Sequence, residues 1–149
     1  MAHIGLLEDN THISQMCATF LSYSGHHVTV YYTAEQCLHA LFPADFRPTD
    51  LLHGPGETSS AQHPLPVEVL ILDLGLPRVD GVDILRYLIT HPRTRALPII
   101  LFTAASQHEV SRAKQVAPHV GIVEKPFKIQ TLTAAIAKAL TPASLLQHP

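Results

Sequence analysis

Charged and hydroxyl side chains follow four short apolar runs, at the point where each run ends. Glu8 and Asp9 follow the first run, Asp73 the third, Thr103 the fourth and Lys125 the fifth. Carboxylates gathered at one place would repel one another, and a hard divalent cation such as Mg²⁺ would relieve that repulsion. Several acids, Mg²⁺, an ammonium group and a hydroxyl together suit the transfer of a phosphoryl group to a carboxylate.

These side chains meet only if the apolar runs form neighbouring strands of one sheet. The runs alternate with helical patterns, which predicts an α/β fold with a doubly wound parallel sheet and right-handed crossovers. In such sheets, functional groups gather outside the carboxyl ends of the strands. The five predicted strands are residues 4–7, 28–32, 67–72, 99–102 and 121–123.

The helices between the strands carry start signals and apolar stripes. Thr33 with Gln36 and Ser106 with Glu109 form capping boxes, and Asp80 can cap the helix that lies between them. One stripe of each helix is expected to be buried. The predicted stripes are Ile13, Met16, Cys17, Phe20 and Leu21 in the first helix, Ala34, Cys37, Leu38 and Leu41 in the second, Ile84, Leu85, Leu88 and Ile89 in the third, and Ile129, Leu132, Ile136 and Leu140 in the last.

The composition is that of one globular domain. The chain has 149 residues, of which 46% are hydrophobic and 15% charged, and its net charge of −2 offers no general attraction to nucleic acid or anionic membranes. Neither a signal peptide nor a membrane span is recognisable in the sequence. Cys17 and Cys37 form no CxxC pattern, so we expect free, partly buried thiols and a cytoplasmic protein.

One segment interrupts the alternation of strands and helices. Residues 43–66 contain five prolines and two glycines and show no periodicity. We interpret them as an inserted, flexible loop, either a tolerated surface insertion or a functional one. The predicted domain then covers residues 1–140, and residues 141–149 are a C-terminal tail or the start of a linker.

Histidine is frequent in the chain, which has 11 of them. The plain interpretation is scattered surface residues that titrate just below neutrality. No pair has the sequence spacing of metal ligands. His26 and His27 are neighbours on a predicted strand and would point to opposite faces of the sheet.

Four motifs in this order resemble the receiver domain of response regulators in two-component signalling. The resemblance covers about residues 3–140 apart from the 43–66 segment, and it implies the flavodoxin-like strand order 2-1-3-4-5. Any one motif alone is weak evidence, whereas all four at the ends of successive strands are specific. The motifs are residues 6–10 (LLEDN), 70–81 (LILDLGLPRVDG), 100–104 (ILFTA) and 124–127 (EKPF).

The resemblance implies a role for each matching residue. Asp73 is the expected phosphoacceptor, and Thr103 and Lys125 would contact the phosphoryl group. Asp9, Asp73 and the backbone carbonyl of Gly75 would bind Mg²⁺, with help from Glu8 through water. The peptide bond between Lys125 and Pro126 is expected to be cis.

The implied partners are a histidine kinase or phosphotransfer protein as phosphodonor and a downstream effector. The domain would be a phosphoacceptor switch and not an enzyme with a separate substrate, and it would bind neither nucleic acid nor membrane directly.

The sequence departs from the family at three positions. Ile122 lies three residues before the lysine, where the family commonly has an aromatic residue that moves inward on activation, so we expect a reduced structural response to phosphorylation. Gly75 and Ala105 occupy positions that tune dephosphorylation in this family. Neither side chain can orient an attacking water, so we expect unassisted hydrolysis of the phosphorylated aspartate.

Two other classes of function are compatible with a sheet of this kind. A degenerate receiver would act as a phosphorylation-independent interaction module, which Ile122 favours and the intact acids, threonine and lysine oppose. A metabolic or nucleotide-binding protein is disfavoured because no glycine-rich phosphate loop follows the first strand. Taken singly, the site residues other than Asp73 also have plain structural explanations, such as an acid that begins a helix. An acid such as Asp73, directly after an apolar strand, is costly without a local role.

Overall fold

The computed structural model describes residues 1–43, 51, 64–104 and 106–141. Within these ranges, five strands alternate with five helices. The strands are β1 (His3–Leu7), β2 (His27–Tyr31), β3 (Val69–Asp73), β4 (Ile99–Thr103) and β5 (Gly121–Glu124). The helices are α1 (Thr11–Tyr23), α2 (Ala34–Leu41), α3 (Gly81–Thr90), α4 (Gln107–Val116) and α5 (Ile129–Leu140).

The strands form one parallel sheet in the order β2-β1-β3-β4-β5, which confirms the predicted fold class and strand order. Strands β1 and β3 are neighbours at the centre, and Leu7, which ends β1, pairs with Leu72, one residue before the end of β3. The predicted strand boundaries are shifted by one or two residues. Asp73 is the last residue of β3 and not the first residue after it.

Each face of the sheet carries its own hydrophobic core, because β3 turns alternate side chains to opposite sides. Leu70 and Leu72 face the layer of α2, α3 and α4, whereas Val69 and Ile71 face α1 and α5. All five residues of β3 are buried, including Asp73. The sheet therefore holds a carboxylate at the end of its most enclosed strand.

The predicted caps begin the helices. The Thr33 side chain accepts the N–H of Gln36, the Asp80 side chain accepts that of Val82, and the Ser106 side chain accepts that of Glu109. These bonds satisfy amide groups that the first turn of a helix leaves without a partner. Asp80 fixes the point at which the chain leaves the loop after β3.

The buried stripe of α1 is narrower than predicted. Cys17 and Leu21 are fully buried, but Met16 and Phe20 are 42% and 44% exposed. The third fully buried residue is Ser14, whose hydroxyl donates to the carbonyl of Thr11 within the helix. Because that hydroxyl is satisfied locally, the core admits a polar residue that an apolar pattern does not reveal. In contrast, all four predicted residues of the α2 stripe are buried.

Both cysteines are free, as predicted, but they are fully and not partly buried. They lie in different cores, Cys17 between α1 and the sheet and Cys37 on the opposite face. Burial raises the pKa of the Cys17 thiol to about 11 and that of Cys37 to about 12. Both side chains therefore act as small apolar core residues.

Most of the predicted 43–66 insertion lies outside the described residues, as do Ala105 and residues 142–149. One side chain contacts both the residue that ends α2, just before the insertion, and a residue near the end of the insertion. Arg93 donates from Nε to the carbonyl of Leu41 (2.6 Å) and from a terminal nitrogen to that of Pro64 (3.5 Å). The insertion therefore begins and ends beside the loop that joins α3 to β4. In the described part of the chain, no helix is both long and apolar enough to cross a membrane.

Gly81 packs directly against the residue that follows Asp73. A Cβ atom at Gly81 would lie 2.7 Å from Cα and 2.9 Å from the carbonyl oxygen of Leu74. We predict that Gly81→Ala lowers the free energy of unfolding by about 1–3 kcal/mol, because backbone must shift to admit the methyl group. Chemical denaturation measures the change.

Gly121→Ala is the matched control for this substitution. A Cβ at Gly121 would meet Ile100 at 3.8 Å, an ordinary contact, so its stability should change by less than about 1 kcal/mol. Equal losses in the two variants would show that the contact with Leu74 is not the cause.

Candidate functional site

The carboxyl ends of β1 and β3 bring three acidic side chains together. Glu8 follows β1 and donates its backbone N–H to the carbonyl of Tyr31, and Asp9 comes next. One oxygen from each of Glu8, Asp9 and Asp73 lies within 4.8 Å of the others. Glu8 is fully buried and Asp73 is 3% exposed, whereas Asp9 is exposed. The predicted acid cluster is therefore formed, with one member open to solvent.

Lys125 enters this cluster from the end of β5. Its Nζ lies 2.5 Å from Oε1 of Glu8 and 3.3 Å from Oδ2 of Asp73. The backbone N–H of Lys125 donates to the carbonyl of Thr103 (2.8 Å), which continues the pairing of β4 with β5. The bond from Lys125 to Pro126 is cis, as the resemblance implied. The ammonium group thus contacts two buried carboxylates at once, and its single charge can balance one of them.

The pKa values of Glu8 and Lys125 reflect this crowding. Burial, with a hydrogen bond to Asp73, raises the pKa of Glu8 to about 7, against the opposing effects of Lys125 and the Asn10 N–H. For Lys125, burial lowers the pKa, but the hydrogen bond to Glu8 and the charges of Asp73 and Glu8 outweigh it, so its pKa is raised overall. The raised pKa of Glu8 favours its neutral form, whereas the raised pKa of Lys125 favours the charged ammonium group and therefore the ion pair. Because Nζ lies so close to Oε1, the ion pair prevails once Glu8 has lost its proton.

The loop after Asp73 is held against that residue. The Gly75 N–H donates to Oδ1 of Asp73 (2.9 Å), so each carboxylate oxygen of Asp73 has a partner. Further along the loop, Arg78 has a φ angle of 68°, a left-handed conformation that is uncommon for a residue with a side chain. The loop therefore fixes the orientation of the Asp73 carboxylate.

An ion pair links the end of this loop to α4. Arg112 donates to Oδ2 of Asp80 at 2.8 Å, while Oδ1 of Asp80 caps α3. Burial raises the pKa of Asp80, but the hydrogen bonds from Arg112 and the Val82 N–H, together with the charges of Arg112 and Arg86, outweigh it, and the pKa is lowered overall. Both side chains are more than one-third exposed, so the pair contributes little to stability. It does give α4 a direct contact with the residue that ends the Asp73 loop.

The donor set of the acid cluster fits a hard divalent cation. All candidate ligand atoms are carboxylate oxygens, and their spacing within 4.8 Å would let one ion contact several of them. Asp9 is the exposed member and is open to an ion that keeps part of its water shell. Glu8 has both oxygens engaged, one by Lys125 and one by the Asn10 N–H (3.2 Å). An ion that reaches Glu8 directly would compete with these two partners.

Two aromatic rings near Lys125 were not predicted as part of the site. The Nζ of Lys125 lies 4.9 Å from the ring centroid of Phe102, and Phe127 packs edge-on against that ring at 4.7 Å. Phe102 is also the register partner of Asp73 on the neighbouring strand. From sequence, a phenylalanine inside an apolar strand is predicted to be an ordinary core residue. Only the strand register shows that its ring lies next to the lysine and can stabilise the ammonium group.

The remaining predicted residues lie at the same edge or close to it. Thr103 ends β4 and is 1% exposed. Ile122 lies on β5, half-buried, where it pairs with Leu101 one row away from the site. The structure thus brings the acids Glu8, Asp9 and Asp73 within 4.8 Å of one another and pairs Lys125 with two of them. It places Thr103 at the same edge and leaves Ile122 outside the cluster.

Comparison with known proteins identifies close relatives in sequence. A family model described as the response regulator receiver domain matches residues 56–137. A probable chemotaxis protein CheY of Rhizobium etli is 33% identical over 72 residues, 48% of this chain and 55% of the relative. The phosphate regulon transcriptional regulatory protein PhoB of Rhizobium meliloti is 35% identical over 96 residues, 64% of this chain and 41% of the relative. The chain thus spans about half the length of these relatives.

Solved structures share the fold at lower identity. A putative response regulator from Chloroflexus aurantiacus superposes with a TM-score of 0.72 at 19% identity, over 93% of this chain and 97% of that one. The chemotaxis protein CheY4 of Vibrio cholerae superposes with a TM-score of 0.70 at 21% identity, over 94% and 99% of the two chains.

The family match overlaps the part of the chain that carries most of the site. Asp73, Thr103 and Lys125 lie inside the matched range, and Glu8 and Asp9, which precede it, are brought to Asp73 by the pairing of β1 with β3. The match covers more than half of the chain. The chain therefore belongs to the response regulator receiver domain family of two-component signalling.

Proposed function

We propose that this receiver domain accepts a phosphoryl group on Asp73 in a Mg²⁺-dependent reaction. The observation that carries the proposal is the cluster of three acids with the Nζ of Lys125 between Glu8 and Asp73. One oxygen of Asp73 attacks the phosphorus in line, a new acyl phosphate P–O bond forms, and the bond to the donor breaks with its electron pair leaving on the donor. The acceptor residue is supported by its burial at the end of β3.

The other site residues take complementary roles in this proposal. Asp9, Asp73 and the carbonyl of Gly75 would bind Mg²⁺, which supplies positive charge near the transferring group, and Glu8 would assist. Lys125 would offset the charge on the phosphoryl oxygens, and the Thr103 hydroxyl would donate to one of them. Because Lys125 already contacts Asp73, it needs only a small displacement to reach a group attached there.

The proposed partners follow from the family. A histidine kinase or phosphotransfer protein would donate the phosphoryl group, and an effector protein or domain would read the changed surface. The Rhizobium meliloti relative is named a transcriptional regulatory protein, and it is more than twice as long as the segment it shares with this chain. A cytoplasmic location is part of the proposal, as is the absence of direct nucleic-acid or membrane binding by this domain.

We predict that acetyl phosphate with Mg²⁺ adds one phosphoryl group to the wild-type protein, and that Asp73→Asn abolishes the addition. The amide lacks the anionic oxygen that attacks phosphorus. Intact-protein mass spectrometry detects the added mass, and chelation of Mg²⁺ by EDTA should prevent it.

Asp83→Asn is the matched control for this experiment. Asp83 lies on α3 and pairs with the exposed Arg86, away from the acid cluster, so its variant should be phosphorylated like the wild type. A folded wild-type protein that takes up no phosphoryl group would favour the degenerate receiver, which acts by binding alone. Equal labelling of Asp73→Asn would exclude Asp73 as the acceptor.

We predict that phosphorylated Asp73 is hydrolysed without help from position 75. A side chain added at Gly75 would begin 3.5 Å from Oδ1 of Asp73, close enough for an amide to orient water. The wild-type phosphoprotein should therefore outlast a time of seconds, and Gly75→Asn should shorten its lifetime several-fold. Time-resolved mass spectrometry measures the decay. A wild-type half-life of seconds without a phosphatase would contradict this view.

We predict a reduced conformational response because Ile122 replaces the usual aromatic residue. Ile122 is half-buried beside the core, and its aliphatic side chain offers no ring to exchange between an exposed and a buried position. Hydrogen exchange of α4 and β5, compared with and without phosphorylation, should change less than in a receiver with an aromatic residue here. A change in hydrogen exchange as large as in such a receiver would show that the conformational response does not need an aromatic residue at position 122.

A further inference from the structure

Two histidines and a glutamate form a row across the edge of the sheet opposite the acid cluster. His27 is the register partner of His3 on the neighbouring strand β1. Glu68 precedes Val69, which is the partner of Ile4, and its backbone N–H donates to the carbonyl of His3 at 2.7 Å. Partners in a parallel sheet turn their side chains to the same face and lie about 4.8 Å apart. The row therefore places three potential metal ligands on one face.

The two imidazole rings already touch. Their centroids are 4.4 Å apart and the rings are nearly perpendicular, at 89°. His3 Nε2 lies 2.7 Å from the hydroxyl oxygen of Thr29, the next residue on this face of β2. That bond orients the His3 ring through one nitrogen and leaves Nδ1 as the nitrogen that could bind an ion.

The carboxylate of Glu68 lies beside the backbone of His3, on the other side of β1 from His27. Its Oε1 accepts the backbone N–H of His3 at 3.1 Å. Glu68 and His27 are exposed and His3 is half-buried, so the row is open to an ion from solvent. Two histidines and a carboxylate are a set of ligands that zinc sites in proteins commonly use.

We propose that His3, His27 and Glu68 bind a borderline transition-metal ion, of which Zn²⁺ is the representative. Imidazole nitrogens favour ions of this class, whereas Mg²⁺ prefers the all-oxygen cluster at the opposite edge. Among the described residues, only the acid cluster already holds three ligand atoms within 4.8 Å, so ion binding here requires rotation of His27 and Glu68. Exposed side chains rotate on a timescale of nanoseconds, which makes this adjustment fast.

A bound ion would join three strands that the chain supplies from distant positions. It would connect the start of β1 with the start of β2 and with Glu68, which lies two residues after the 43–66 segment. An ion that binds only the folded protein stabilises it in proportion to its concentration. Ion binding would therefore stabilise the start of β3, where the chain returns to the sheet after the 43–66 segment.

The test is a titration of the full chain with Zn²⁺ by calorimetry and with Co²⁺ by visible absorption, both in excess Mg²⁺ so that the acid cluster is saturated. We expect one metal ion per chain to bind with a higher affinity than any further ions. His27→Ala should weaken that binding at least ~10-fold, because removal of even an outer-shell partner of a metal costs this much, and Glu68→Gln should also weaken it. His108→Ala is the matched control, since His108 is exposed on α4 and should leave the affinity unchanged.

Three outcomes would overturn the proposal. The first is an affinity that His27→Ala does not change. The second is that His3→Ala and acetylation of the terminal amine each abolish binding while His27→Ala does not. That result would assign the ion to the amino-terminal residues. The third is a loss of binding with Asp73→Asn, which would assign it to the acid cluster. The third outcome leaves the phosphoacceptor role of Asp73 to be judged by acetyl phosphate labelling, so the two proposals fail separately.

Discussion

The ion pairs of Lys125 with Glu8 and Asp73 are the interaction on which the site depends. Two carboxylates are almost completely removed from water, which is unfavourable for their charges unless a positive charge lies near. One ammonium group lies against both and opposes the effect of burial, although the pKa of Glu8 is still raised to about 7. Breaking a buried pair of this kind typically costs about 3–5 kcal/mol, because the charge that remains has no partner. The contact requires this sheet, because the three side chains come from the carboxyl ends of three different strands, β1, β3 and β5.

The same arrangement makes the site responsive to charge. Asp73 is held on one oxygen by the Gly75 N–H and on the other by Lys125, so a group added to Asp73 must alter the position of the lysine. The backbone of Lys125 is fixed to Thr103, and its ammonium group lies over the ring of Phe102. A change at Asp73 therefore acts first on the lysine side chain and on the loop after β3. That loop is tied to α4 through Asp80 and Arg112, which gives a physical connection from the acceptor to a helix surface.

The sequence predicted the parts of this structure that follow from local pattern. Apolar runs located the strands to within one or two residues, and capping residues such as Thr33, Asp80 and Ser106 located the helix starts. The strand-end acids and Lys125 were predicted because all carboxyl ends of a parallel sheet meet at one edge. Contacts that depend on strand register were missed. Nothing in the pattern of Phe102 distinguishes a core residue from a support for Lys125, and periodicity alone made Met16 and Phe20 of α1 appear buried.

Register explains the histidines as well. Sequence spacing can compare only residues that lie on the same strand or helix. By that criterion, His26 and His27 were the neighbouring histidines, and they were expected to point to opposite faces of the sheet. The structure begins β2 at His27, uses Nδ1 of His26 to accept the Ala2 N–H, and pairs His27 with His3 instead. A parallel sheet brings residues together at both of its edges, so any row of three strands can collect ligands from distant parts of the chain. At the carboxyl edge this row collects oxygen atoms, and at the amino edge it collects imidazole nitrogens. The chemical difference between the rows would let one small domain sort hard ions from borderline ones.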